Sequence, residues 1–581
     1  MTESPNLSVN SASTARRGLD VLKNIVFLPV KVAQTVYEYR RRVAQVSAAF
    51  AVVLGLAYMG TRKDTKDIEM QHDGYEFTLK DLTLEEKVAQ LFHGSAYGSR
   101  AADLTDRGLN HRKLPIPVDF SDWLTDWLKS DHNIGGVHLF RSDSRSLEET
   151  NRTIVELMAD SKIPPFISMD IVGGYTKHLG LKREEARAYG VPEEFLQIAK
   201  ENGGLVLPAQ EDLGRYYESL SSTKEKVEYR LLMEEYGLAI GRLCRDLGVT
   251  INFSPVLDLV EDKNGSNFME KNDEAYSDDI LTVMTLGFHY MKGFQQEDGV
   301  MLAPKHFAGT GKMTINPHED QEQEVTGMTS TDGSFMPFND AINGRLFKAR
   351  IHRGHKFDFK LRWLLNNIEV FKVRGSNQRL EAERNSLKAH LEAYGIDPND
   401  IDEQFTKMRP VDGMMVGHAQ NFTNREVPGS LSGEIIHTRL RKNMGFDGIV
   451  WTDDLSMGAI RAHANSEGCA GGVGSLDESG EVFVRALEVG VTMPMMLHGS
   501  DRVKDIAATV GWAIESEADL DNDGYPDITI EYIDASVRKV LEKKAELGLL
   551  TSKRMRNPDT GRIQTVYRNN SEAYLEQTMG R

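Results

Sequence analysis

Residues 299–309, GVMLAPKHFAG, form a short apolar run that ends in a Lys–His pair and a small glycine turn. A nearly continuous apolar run of this length fits a strand covered on both faces. Seven more runs of the same kind lie on either side: KVAQLFHG (87–94), IGGVHLF (134–140), PFISMDIVGG (165–174), VTINFSPVLDL (249–259), VDGMMVGHAQ (411–420), FDGIVWTDDLSM (446–457) and GVTMPMMLHG (490–499). Stretches of amphipathic helical pattern separate them. Eight such strands alternating with helices predict an α/β fold, a (β/α)8 TIM-type barrel, rather than an open sheet. Asp170, Asn252, Asp258, Lys305, His306, His418, Asp453 and Asp454 stand at or just past the C-terminal ends of these runs. That is the rim on which barrel enzymes carry their chemistry. Any one of them could simply cap the next helix; eight sharing the position point to a site.

The composition narrows the function classes. The chain has 581 residues, a net charge of −18 and two cysteines, Cys244 and Cys469. The acidic balance argues against a nucleic-acid partner, which needs clustered Lys and Arg. Two cysteines supply neither a disulfide framework nor a zinc ligand set. Residues 43–60, VAQVSAAFAVVLGLAYMG, carry no charge and follow Arg40, Arg41 and Arg42. This is the pattern of a transmembrane signal-anchor, with a cleaved signal or a buried helix as the competing readings. The excess of cations before the run places the N-terminus in the cytosol and the catalytic domain outside, periplasmic or at the cell surface.

The domain reading is therefore a basic cytosolic segment at 1–42, the anchor at 43–60, a linker at 61–79, a single catalytic barrel at 80–550 and a C-terminal tail at 551–581. Two helical insertions enlarge the barrel. Residues 179–225 extend the loop after the third strand, on the catalytic face, as a lid or substrate wall. Residues 344–408 are charge-rich, fall on the opposite face and form a candidate protein-contact surface. In DLDNDGYPD (519–527), Asp519, Asp521, Asp523 and Asp527 with Gly524 have the oxygen-ligand spacing of a calcium loop. Ile530 stands where an EF-hand has glutamate, so the expectation is a structural Ca2+ site of the shorter kind, or a solvated acidic turn.

KHFAGTG followed after four residues by NPH, then MMVGHA, GFDGIVWTDDLSMGAI, INFSPVLDL and the closing IDASVRKVLEKKAELGLL resemble glycoside hydrolase family 3, in its bacterial β-N-acetylhexosaminidase branch. The resemblance covers roughly residues 80–550. It implies a barrel that removes terminal β-linked N-acetylglucosamine with retention, without a cofactor, through a glycosyl-enzyme intermediate. By the same resemblance Asp453 is the nucleophile and His318 the acid/base, a histidine whose ordinary pKa near neutrality suits proton donation and return. Asp170, Asp258, Lys305, His306 and His418 are the expected substrate-binding residues. The sequence departs from the family at several of these places. Asn316 replaces the aspartate that orients the acid/base histidine, Thr310 a second histidine, Val172 a glutamate and Tyr175 an arginine, while a further family arginine falls near Glu274.

The function expected is thus a membrane-anchored retaining exo-β-glycosidase acting on an oligosaccharide or cell-wall fragment. Alternatives are a β-glucosidase or glycoside phosphorylase of the same family, or an inactive barrel that binds a glycan or a protein partner. Phosphorolysis stays open because a neutral histidine acid/base does not repel phosphate as a carboxylate would.

Overall fold

The computed structural model describes residues 68–95, 134–140, 146–174, 179–203, 205–260, 274–310, 333–347, 405–420, 427–466, 478–497, 503–517, 528–558 and 560–579. All lie within the unit Asp64–Arg581. The expected anchor at 43–60, Tyr175, the loop carrying Asn316 and His318, most of the second insertion and the acidic turn with Asp519, Asp521, Asp523 and Asp527 fall outside these residues. Among the described residues, no helix is long and apolar enough to cross a membrane.

The strands in chain order are β1 (Glu76–Thr78), β2 (His93–Ser95), β3 (Gly136–His138), β4 (Phe166–Met169), β5 (Ile251–Asn252), β6 (Met301–Leu302), β7 (Arg345–Phe347), β8 (Phe405–Lys407), β9 (Gly413–Val416), β10 (Ile449–Thr452), β11 (Leu550–Arg556) and β12 (Ile563–Asn569). β2 to β6 form one parallel sheet in sequence order, and β9 pairs in parallel with β10. Single parallel bridges extend the order, Phe307 with Val416, Trp451 with Met493, and His93 with Met495. Neighbour therefore follows neighbour from β2 to the 493–495 segment and back to β2. Parallel strands need long crossovers, and helices alternate with the strands along the described residues: α1 (Leu84–Leu91), α2 (Leu147–Ala159), α3 (Arg183–Tyr189), α4 (Glu193–Glu201), α5 (Gln210–Ser219), α6 (Thr223–Leu247), α7 (Ile280–Phe294), α8 (Met336–Asn343), α9 (Gly458–Ser466), α10 (Glu478–Glu488), α11 (Val503–Glu515), α12 (Ile530–Glu546) and α13 (Ser571–Met579).

Three expectations are corrected. KVAQLFHG is mostly helix α1, begun by a capping box in which Thr83 and Glu86 satisfy each other's backbone N–H; the strand is only His93–Ser95. GVTMPMMLHG contributes bridges at Met493 and Met495 rather than a ladder. Residues beyond 550 are not a tail. β11 and β12 pair antiparallel, β1 joins the other edge of β12, and Phe77 stacks on the buried Tyr567. The excursion 344–408 opens and closes with the antiparallel pair β7–β8, so it leaves and re-enters the fold just ahead of β9, at the strands' N-terminal ends.

Within the array the polar groups are arranged in a fixed direction. An indole N–H can only donate, so Trp451 Nε1 gives its hydrogen to His93 Nδ1 at 3.2 Å. His93 Nε2–H then donates to Ser168 Oγ at 2.8 Å, and Ser168 Oγ shares a further hydrogen bond with His138 Nδ1 at 3.0 Å. Burial holds the His93 pKa well below its ordinary value, keeping it neutral. Phe166 and Phe253 pack edge-on against Trp451 around this chain. Outside it, α6 and α7 lie backbone to backbone, because a Cβ at Gly237 or Gly293 would stand 2.0 or 1.9 Å from the facing carbonyl.

Helix α12 brings the chain to the strands' N-terminal ends. There Lys543 pairs with Asp412, just before β9, and Lys544 donates to Gln90, just before β2. Asn569 of β12 donates to the carbonyls of Ser161 and Lys162, ahead of β4. The sheet β1–β12–β11 and α13 therefore cover the face opposite the strands' C-terminal ends.

Candidate active site

The C-terminal ends of β4, β5, β6, β9 and β10 converge on Asp453. The two adjacent acids after β10 have separate tasks. Asp454 is 6% exposed, and its Oδ1 accepts from Ser456 N (3.0 Å), Ser456 Oγ (2.6 Å) and Leu497 N (2.9 Å). It binds the strand end to the following turn and to the 493–497 segment. Among the described residues, Asp453 Oδ1 accepts only the neighbouring Asp454 N–H at 2.9 Å, while Oδ2 lies 3.8 Å from His306 Nε2, and 23% of the side chain remains exposed.

His306 is positioned from behind. The fully buried Asp258 carboxylate accepts the His306 backbone N–H at 3.1 Å and Nδ1–H at 2.8 Å on Oδ2, and the Thr310 N–H at 2.6 Å on Oδ1. Thr310 reaches it because Gly309 turns the backbone at φ 110°, a conformation that side-chain-bearing residues rarely adopt. Burial disfavours charge on His306, but Asp258 and then Asp453 outweigh it and raise its pKa above the ordinary histidine value. Lys305, 5% exposed, points to Asp170 with Nζ 3.1 Å from Oδ2. Its pKa is raised against the cost of burial by Asp170, Glu274 and Asp453. Burial likewise works against charge on Asp453, and His306, His418 and Lys305 reverse it, holding the carboxyl below its ordinary value. The result is a partly open carboxylate whose ionised form is favoured, flanked by Lys305 and by a histidine whose protonated form is favoured, an arrangement suited to attack on an electrophilic carbon or to stabilising a cationic one.

The structure thus brings together Asp170, Asp258, Lys305, His306, His418 and Asp453, but two of the expected substrate ligands work differently. Asp258 faces His306 rather than open space. His418 is 2% exposed and uses both ring nitrogens: Nε2–H donates to the Asp454 carbonyl at 2.9 Å, so Nδ1 accepts from Ser430 Oγ at 2.8 Å. Burial lowers its pKa. A neutral histidine fixed at both nitrogens has none left for a sugar hydroxyl; it braces the β10 end. Ser430→Ala is accordingly expected to lower stability by about 1–2 kcal/mol, the cost of one buried bond, with KM unchanged; a raised KM with unchanged melting temperature would return His418 to the substrate pocket.

Ser430 went unmarked in the sequence, since it does not end an apolar run, while Glu274 was marked only as the neighbourhood of an implied arginine. Val172, where a glutamate was expected, packs with Val256, Val260 and Ala275 in a small apolar cluster. Where the sequence resemblance implies a charged residue, position 172 is therefore buried in apolar packing.

A family model described as the glycosyl hydrolase family 3 N terminal domain matches residues 200–347 and 405–542. Among curated proteins, a beta-hexosaminidase of Methylobacillus flagellatus is 22% identical over 388 residues, 66% of this chain and 79% of its own length. Beta-hexosaminidase A of Pseudoalteromonas piscicida is 26% identical over 394 residues, 67% of this chain but half, 50%, of that protein. Among solved structures, the beta-N-acetylhexosaminidase of Beutenbergia cavernae aligns with 80% of this chain and 99% of its own at 18% identity and a TM-score of 0.49.

Proposed function

The chain belongs to glycosyl hydrolase family 3, and on that premise we propose that it is a retaining exo-β-glycosidase removing terminal β-linked N-acetylhexosamine, with N-acetylglucosamine the favoured sugar. The observation that carries this reading is the division between the two acids after β10. Asp454 is occupied by the backbone, and Asp453 is held ionised and partly open beside Lys305 and His306.

In this mechanism Asp453 Oδ2 attacks the anomeric carbon, the glycosidic C–O bond breaks, and the leaving oxygen takes a proton from His318. Water then attacks the same carbon, gives its proton to His318 and frees Asp453. An asparagine at 316 can accept a hydrogen bond from an imidazole but supplies no charge to favour its protonated form, so His318 is expected to be a weaker acid/base at high pH than an aspartate-paired histidine would be. Lys305, held by Asp170, grips sugar hydroxyls. We read the closed order of pairings as a (β/α)8 barrel whose C-terminal rim is this site, and the apolar run at 43–60 as an anchor that keeps the catalytic domain outside the membrane.

A second reading, β-glucosidase, is favoured by the buried apolar packing of Val172, where the resemblance implies a charged pocket residue, and by Glu274, whose charge acts on Lys305 near the position of an implied arginine. Hydrolysis of paired chromogenic β-N-acetylglucosaminide and β-glucoside decides between them. The first reading expects turnover of the acetamido sugar at least about tenfold faster in kcat/KM, a modest pocket-discrimination effect. Preference for the glucoside establishes the second, and turnover that requires added phosphate establishes phosphorolysis instead.

A further inference from the structure

The hairpin β11–β12 is a place where, among the described residues, this acidic protein reverses its charge. Between residues 550 and 569 stand Lys553, Arg554, Arg556, Arg562 and Arg568 against one acid, Asp559, in a chain of net charge −18. All five cations are exposed, and no carboxylate of the described residues pairs with them. Arg556 donates only to the Gly561 carbonyl, closing the turn, where Asn557 accepts from Gly561 N and bonds Gln564 and Thr560 N. The ribbon is therefore preformed. Its outer half extends past β1, which pairs only with residues 566–568.

Cations on the edge strand β11 have a simple protective use, since they discourage pairing with another chain. That use does not account for the apolar groups beside them. Ile563 is 70% and Met555 45% exposed, the two most exposed large apolar side chains among the described residues. Tyr75, 40% exposed, stacks on Phe77 at the base of the same sheet. Met555, opposite Gln564, and Ile563, opposite Arg556, lie on the two faces of the ribbon near its free end, so an end-on approach to an anionic bilayer lets the cations meet headgroups while both apolar groups enter the acyl edge. A soluble anionic polymer would use the cations and leave Ile563 in water. By chain length alone, β1 begins fifteen residues after the apolar run that ends at Gly60.

We propose that the β11–β12 ribbon is a docking surface for an anionic lipid bilayer. The sheet that carries it covers the face opposite the C-terminal strand ends, so docking turns the Asp453 rim away from the lipid. This holds whether the sugar is an acetamido sugar or glucose, because it does not use the site.

The test is co-sedimentation of the full chain with phosphatidylcholine vesicles, with and without phosphatidylglycerol, comparing the native protein with Lys553→Gln/Arg554→Gln/Arg562→Gln and with Met555→Ser/Ile563→Ser. The N-terminal region is present in all three, so it cancels. The triple variant is expected to lose about tenfold or more of the preference for anionic vesicles. The double variant is expected to bind anionic vesicles several-fold more weakly, while retention on an anionic polysaccharide resin stays as in the native protein. Unaltered melting temperature and unaltered hydrolysis of a soluble substrate exclude misfolding. An anionic preference that the triple substitution leaves undiminished overturns the proposal, as does the absence of any preference in the native protein. Loss in the triple variant with none in the double variant also overturns it, in favour of a soluble anionic polymer.

Discussion

Asp453→Ala is expected to reduce kcat on an activated β-glycoside by about 10⁴-fold or more, the scale on which removal of a covalent nucleophile acts, with little change in melting temperature. The stability expectation follows from what Asp453 does not hold. Its carboxylate bonds one backbone N–H inside the protein and faces two cations across a partly open site. Asp454→Ala should behave in the opposite sense. That change leaves Ser456 N and Leu497 N without their acceptor, at about 1–3 kcal/mol for each buried group, and loosens the strand end that aims Asp453. The decisive comparison is therefore a pair of melting curves beside a pair of rates. Asp453→Ala inactive and stable, with Asp454→Ala unstable and partly active, places the nucleophile at 453. A small azide anion should also restore turnover to Asp453→Ala by attacking the anomeric carbon in place of the lost carboxylate, and rescue of Asp454→Ala instead would reverse the assignment. The flanking cations set the acid limit. Because the Asp453 pKa is depressed, its ionised form persists below the ordinary aspartate value, and activity should fall on the acid side only below about pH 4.

Much of this arrangement was legible in the sequence because its signals are local. A parallel strand buried on both faces writes itself as an apolar run, and the polar residue at its end is where the backbone leaves the layer. Asp170, Lys305, His306 and Asp453 were found that way. The exact strand limits were not legible, since an apolar run continues into the turn or helix beside it; Leu84–Leu91 is apolar on one face for a helical reason. Roles that depend on a distant partner were hidden for another cause. Nothing near His418 in sequence says that the carbonyl of Asp454, 36 residues on, will accept its Nε2–H. Nothing near Asp258 says that Thr310 will fold back onto it. The C-terminal ribbon was passed over because its pattern is charged rather than alternating, and its pairing with Glu76–Thr78 spans almost the whole chain.

Asp258 offers the second large effect, and it separates position from charge. Asp258→Ala would leave three N–H groups without an acceptor and a buried His306 cation without its partner. Breaking a buried ion pair by removing one member typically costs about 3–5 kcal/mol, so this variant should be strongly destabilised. Asp258→Asn keeps an oxygen for one or two of those donors and removes only the charge. The sign of the pH effect then follows from linkage. His306 has a raised pKa in the folded protein, so the stability it contributes is complete below the unfolded value of about 6.5 and is lost as pH rises through the folded value. In Asp258→Asn that excess should disappear, flattening the dependence of stability on pH above about 6.5. The same loss should draw the basic limb of kcat/KM toward lower pH, because His306 gives up its proton earlier and Asp453 loses a neighbouring cation. A purely structural Asp258 would instead lower stability by the same amount at every pH and leave the basic limb where it stands. The measurement is urea unfolding of the native protein and of Asp258→Asn at a series of pH values from 5 to 9, with rates taken on the same samples.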